Sequence, residues 1–148
     1  MTTNTITFQR VLRCPADRIY RAFTTAAAFA KWLPPHGFAA TVHHMEAKVG
    51  GTYRMSFTNL TTGHSHSFGG RYIELDAETG LAYTATFEDP NMPGEMTTRV
   101  RFAKVLCGTE LKIEQSGVPA MIPVELCQLG WQESLALLAL LVEPEIKQ

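Results

Sequence analysis

Between Phe38 and Gln115 apolar and polar residues alternate with a period of two, and on either side of that stretch they recur with a helical period. Phe38, Ala40 and Val42 share one parity. Val49-Gly50-Gly51 then turns the chain into Tyr53, Met55 and Phe57, whose neighbours Arg54, Ser56 and Thr58 point the other way. Thr61-Thr62-Gly63 marks the next turn, and His64, His66, Phe68, Gly70 and Tyr72 fall on one face of the strand that follows. Residues 77–80 turn into Leu81, Tyr83, Ala85 and Phe87. The breaker-rich residues 89–94 join these to Met96, Thr98, Val100 and Phe102, and Gly108 leads to Leu111, Ile113 and Gln115. Consecutive strands joined by short turns predict an antiparallel meander with one buried face.

The flanks complete the layers. Residues 5–13 alternate at Ile6 and Phe8 and stop at Pro15, which predicts one further strand. Asp17, Ile19, Tyr20, Ala22 and Phe23 predict a helix opening at Pro15, with Arg18 and Arg21 pointing outward. The alanine-rich residues 26–32 predict a second short helix, anchored by Phe29 and Trp32 and halted by Pro34 and Pro35. Residues 122–142 are the longest helical run, with Pro123 in the first turn and Pro144 as the stop; at 1.5 Å per residue the helix is about 30 Å long.

On a helical wheel Glu125, Gln128, Gln132, Ala136, Ala139 and Glu143 form a narrow stripe facing water. Cys127, Gly130, Ser134, Leu137 and Leu141 lie opposite. Trp131, Leu135, Leu138 and Val142 occupy one shoulder, Leu126 and Leu140 the other. Such a helix is buried over most of its circumference, and only the meander is broad enough to cover it. The expected fold class is α+β: a curved antiparallel sheet of about seven strands wrapped around a long C-terminal helix, with two short helices after the first strand. Gly130 and Ser134, small residues on the most buried face, have two readings. They either let the sheet approach closely, at about 1 kcal/mol of helix propensity for the glycine, or they leave room for a ligand.

With 148 residues the chain is one domain, 1–148, long enough to bury a core without disulfides or metal. Its 13 Lys+Arg and 14 Asp+Glu include no basic run, so no nucleic-acid partner is expected, and the apolar run at residues 135–142 is too short for membrane insertion. Three cysteines, Cys14, Cys107 and Cys127, lie in no ligand or disulfide spacing and read as free thiols of a cytoplasmic protein; residues 1–14 show no signal-peptide pattern. The unpaired edge of a meander allows a homodimer, although nothing requires one.

Several motifs carry a resemblance. Pro15-x-x-x-Ile19-Tyr20-x-Ala22-Phe23-Thr24, followed by Trp32-Leu33-x-Pro35, resembles the opening of the START-like helix-grip superfamily (SRPBCC), in the branch of the C-terminal domain of the heat-shock protein 90 ATPase activator. Val49-Gly50-Gly51-x-Tyr53-Arg54, Gly70-x-Tyr72-x-Glu74, and Gly130-Trp131 with Leu135 and Leu138 are similar to that branch's hairpin, next strand and last helix. The resemblance implies an apolar cavity between sheet and long helix, used by different relatives for lipids, hormones or polyketides. It shifts the reading of Gly130 and Ser134 towards a pocket.

Binding of a small hydrophobic molecule is the expected function. The wall candidates are Trp32, Phe38, Met55, Phe57, Phe68, Tyr72, Tyr83, Phe87, Phe102 and Trp131, joined by His44, His66, Ser134 and Leu138. His44 faces the pocket only if the strand from Phe38 keeps its parity, since a bulge would exchange it for His43. His64 and His66 have a chelating spacing, but no carboxylate or Cys accompanies them, so neither a metal nor any other cofactor is expected. A cyclase- or dehydratase-like enzyme acting on a polyketide-type substrate is the first alternative. It needs two titratable groups converging in the cavity, and His44 with Tyr72 or His66 is the only pairing to offer. A co-chaperone-like contact with heat-shock protein 90 is the second, implied by the branch alone.

Overall fold

In the computed structural model, which describes residues 3–147, the elements run β1 (Thr3–Leu12), α1 (Ala16–Thr24), α2 (Ala26–Trp32), β2 (Phe38–Met45), β3 (Thr52–Asn59), β4 (Ser65–Asp76), β5 (Gly80–Phe87), β6 (Met96–Val105), β7 (Gly108–Pro119) and α3 (Val124–Val142). All seven strands form one antiparallel, curled sheet in the order β1-β7-β6-β5-β4-β3-β2. The meander supplies six of these positions. β1 adds the last by pairing with β7, so β1 and β2 are the open edges. β4 passes especially close to β5 at Gly70: a side chain there would overlap the carbonyl oxygen of Thr84, so only glycine lets the strands approach this closely.

The helices close the concave side. α1 buries Ile19, Ala22 and Phe23, and α2 buries Phe29 and Trp32. Between them Thr25 is extended, at φ −109° and ψ 121°, ending one helix and opening the next. Arg18, expected to point outward, instead donates through Nη1 to the Val142 carbonyl at 2.9 Å. That carbonyl is one of the unpaired acceptors at the end of α3, whose last turn carries no basic residue of its own, so the guanidinium both satisfies it and meets the negative end of the helix dipole. The Glu143 carboxylate in turn accepts from the Arg13 backbone N–H at 3.0 Å.

α3 is turned about its axis relative to the sequence expectation. Its innermost residues are Ser134, Leu135, Leu138, Ala139 and Val142, which makes the Trp131-to-Val142 shoulder the buried face. Ala139, assigned to the water stripe, is buried. Leu126, Leu129 and Leu140 are 61%, 52% and 74% exposed, so the helix is covered over much less of its circumference than its composition implies. The sheet and the α1–α2 pair grip one side only, and the leucines of the other side face solvent. No helix among the described residues is long and apolar enough to cross a bilayer.

Candidate functional site: a cavity between the sheet and the C-terminal helix

The concave face is filled at one end and hollow at the other. At the filled end Phe23, Phe29 and Trp32 stack edge to face, with Phe23 and Trp32 centroids 4.7 Å apart, and Phe29 meets Tyr83 at 6.0 Å. The polar atoms of Trp32, Tyr72 and Tyr53 are tied down by backbone carbonyls. Trp32 Nε1 donates to the Ala22 carbonyl at 2.8 Å, Tyr72 Oη to the Phe23 carbonyl at 3.1 Å, and Tyr53 Oη to the Thr84 carbonyl at 2.7 Å. Burial holds these phenols neutral: the Tyr72 hydroxyl is pushed up to about 12, and those of Tyr53 and Tyr83 lie well above the ordinary phenol range for the same reason.

At the other end lies a cavity of about 220 Å³ between the first half of α3 and the sheet. Gly130 forms part of its ceiling, and a Cβ built there meets no atom within 4 Å. This glycine is therefore not a close-packing device; the volume it leaves belongs to the cavity. Trp131 and Ser134 flank it on the helix, with the half-buried Cys127 thiol one turn earlier, its pKa raised by burial. The Ser134 hydroxyl lies 2.6 Å from the Leu33 carbonyl and 2.9 Å from that of Gly130. Pro34 and Pro35 leave the end of α2 without continuing N–H groups, so Ser134 pins that end to α3. The floor is mostly aromatic: Phe57 of β3, His66 and Phe68 of β4, Tyr83 and Phe87 of β5. Met96, Gln115 and Val118 complete it on β6 and β7. The exposed His66 and Leu126 in the wall show where the cavity meets solvent.

Of the residues nominated from sequence, Phe57, His66, Phe68, Tyr83, Phe87, Trp131 and Ser134 line this cavity. Trp32, Met55, Tyr72, Phe102 and Leu138 lie in the solid core instead. They point inward as their parity requires, but toward the part of the groove that α1 and α2 fill. Phe38 sits behind the rim, 6.2 Å from Phe57 and 6.1 Å from His66. His44 lies on the outer face. The β2–β3 register shifts between Val42 and His44, and this bulge turns both histidines outward: His43 Nε2 is 2.6 Å from Ser56 Oγ and His44 Nε2 is 3.1 Å from Thr52 Oγ1. The pairing of His44 with Tyr72 or His66 is therefore not assembled. Arg99 and Arg101 point outward and meet Glu74 at 3.5 and 3.1 Å.

His66 is the one histidine in the wall. The rings of Phe38, Phe57, Phe68 and Phe87 surround it with centroids 5.8–6.4 Å away, and this desolvation lowers its pKa, favouring the neutral imidazole. His64 lies in the turn before β4. Among the described residues no three His, Cys, Asp or Glu side chains cluster closely enough to hold a metal ion. Two wider hollows, on the outer sheet face and beside the β6–β7 turn, are rimmed by charged residues such as Arg99, Lys112, Arg13 and Lys104, unlike the apolar cavity.

Sequence reasoning passed over Gln115 and Thr98. Trp131 Nε1 donates to Gln115 Oε1 at 3.1 Å, and Gln115 Nε2 donates to Thr98 Oγ1 at 3.1 Å. The available signal was a polar residue at an inward position of each strand, at the points where β6 and β7 place Thr98 directly opposite Gln115.

The family model described as Activator of Hsp90 ATPase homolog 1-like protein matches residues 13–143. No curated protein matches the chain. The crystal structure of a protein from Chromobacterium violaceum is 49% identical, covers 96% of this chain and 99% of its own, and superposes with a TM-score of 0.94. Structures from Rhodobacter sphaeroides (20% identity, TM-score 0.81, covering 92% and 90%) and Nitrosomonas europaea (18%, 0.78, covering 93% and 92%) share the fold. With a family match spanning all but the two ends and the helix-grip architecture in place, the chain belongs to the Activator of Hsp90 ATPase homolog 1-like protein family, a START-like (SRPBCC-type) group.

Proposed function

We propose that this protein binds a small, largely aromatic molecule in the cavity between its sheet and α3. The observation that carries the reading is the empty space above Gly130: a helix interior accepts glycine at a cost of about 1 kcal/mol, and here no neighbour needs that glycine for room. Size narrows the class. An apolar cavity of about 150 Å³ can hold benzene, and drug-sized ligands occupy roughly 300–1,000 Å³. A volume of about 220 Å³ therefore suits a one- or two-ring compound better than a full-length lipid.

Gly130→Leu tests this directly. The leucine side chain fills the cavity and improves helix propensity, so the variant should keep or raise its melting temperature while losing heat of binding to one- and two-ring aromatic compounds. Unchanged binding by Gly130→Leu, or no ligand-induced thermal shift in the natural protein across such a panel, would sink the proposal. Native mass spectrometry of protein purified from its own cells would show a stoichiometric apolar adduct.

The family's description supplies a second reading, contact with heat-shock protein 90. The exposed Leu129 and Leu140 along the outer side of α3 favour it as the alternative. Stimulation of that chaperone's ATP hydrolysis, lost when these leucines are replaced by glutamine, would support it; absence of stimulation would remove it.

A further inference from the structure

We infer that Gln115 is the polar anchor of the cavity and that the preferred occupant is an aromatic molecule bearing one hydrogen-bond-accepting oxygen, such as an aryl ketone. The inference rests on the ligand-binding reading above and deepens it. Indole nitrogen can only donate, so the contact from Trp131 Nε1 fixes which end of the Gln115 amide is the oxygen. The amide nitrogen then faces Thr98 and spends one hydrogen on its hydroxyl. Its second N–H has no partner among the described residues, and Gln115 lies in the cavity wall.

The other polar groups of the wall do not compete for this role. Tyr53 Oη already donates to the Thr84 carbonyl and Ser134 Oγ to that of Leu33, while the Tyr83 phenol has the Thr98 side chain as its hydrogen-bond partner. His66 stands at the solvent side, where water serves it, and a thiol such as Cys127 is a weak donor. Gln115 thus presents a donor of fixed direction, held from both sides, in otherwise apolar surroundings. A ketone oxygen placed against it replaces a water contact, whereas a hydrocarbon leaves the N–H unpaired. Trp131 acts here as a positioning residue, holding the amide by its N–H and the ligand by its ring.

Isothermal calorimetry with indane and 1-indanone tests the inference, because the two share a skeleton and differ at one ketone. The natural protein should bind 1-indanone about tenfold more tightly. Gln115→Met should bring the ratio to about one while keeping indane affinity. Gln115→Glu, measured at pH 8, keeps an acceptor for Trp131 but offers the ketone no donor, so indane should become the tighter ligand. Trp131→Phe keeps the ring and should lower the ratio without weakening indane. Equal binding of the two probes by the natural protein overturns the inference and leaves the cavity reading standing. A ratio that survives in both Gln115 variants also overturns it. If neither probe binds the natural protein, the cavity reading falls and takes the inference with it. Thermal melts of each variant verify folding, and the natural protein's own ratio decides the matter if a variant fails to fold.

Discussion

The two ends of the layer between sheet and α3 are built from the same strands and the same helix, yet one is solid and the other hollow. At the solid end Trp32, Tyr72 and Leu138 are almost fully buried, and the Trp32 and Tyr72 donors both have carbonyl partners. At the hollow end Gly130 faces open space, Trp131 is half-buried, and one Gln115 N–H has no partner among the described residues. The difference comes from α1 and α2, which fill the first end, whereas only Leu33 and Pro35, at the end of α2, reach the wall of the second. Inward parity on a strand is therefore a precondition for being core or cavity wall and does not choose between them.

Tryptophan truncation offers the sharpest way to break this comparison. Trp32→Ala should cost about 3–5 kcal/mol, because it empties a fully buried site and strands the Ala22 carbonyl. Trp131→Ala, in a wall that is already open, should cost no more than about 2 kcal/mol. Urea unfolding of the two variants gives the answer, and equal losses would mean that the two ends are packed alike.

Alkaline titration probes the same contrast through the buried phenols. Tyr72 rises from about 10 in the unfolded chain to about 12 in the fold. The stabilisation is fully present below pH 10 and disappears as pH climbs from 10 through 12. For Tyr72 alone the shift corresponds to roughly 3 kcal/mol. Tyr53 and Tyr83 are raised as well and add in the same direction. Absorbance of phenolate and circular dichroism should therefore change together above pH 10, and Tyr72→Phe should reduce the pH dependence in that window. Phenolate signals from all the tyrosines appearing while the fold persists would contradict the sealed end.

Gly130→Ala sharpens the picture from the hollow side. With no atom near the added methyl, helix propensity alone should act, raising stability by up to about 1 kcal/mol. A destabilised variant would show that the space is occupied or required for packing. The smallest effect is expected on the outer side of α3, where Leu140→Gln should stay within about 0.5 kcal/mol of the natural protein.

Much of this was legible in the sequence. The run Ala26–Trp32 is a helix to the residue, the turn at Gly63 lies between strands, Gly108 opens β7 directly after a turn, and the meander emerges from its period of two. The site was legible in its chemistry and less so in its extent. His66, Phe68 and Phe87 reach the cavity because their parity is undisturbed. Phe102 and Leu138 obey the same rule and end in core, since parity carries no information about what lies opposite. His44 departs for a local reason: one extra residue at the β2–β3 bulge reverses the face, and nothing in the run Val42-His43-His44-Met45 marks it. Gln115 was visible as an inward polar residue, but its partner Trp131 lies on another element.

The sequence by itself determined the order of elements, the faces of the strands and the small residues at Gly130 and Ser134, because these depend on local periodicity and side-chain volume. Only the tertiary structure decided the rotation of α3, the pairing of β1 with β7, the orientation of the Gln115 amide and the place where core gives way to cavity. Each of these is settled between segments distant in the chain, where close packing and the pairing of buried donors with acceptors select one arrangement among several that the local pattern permits equally.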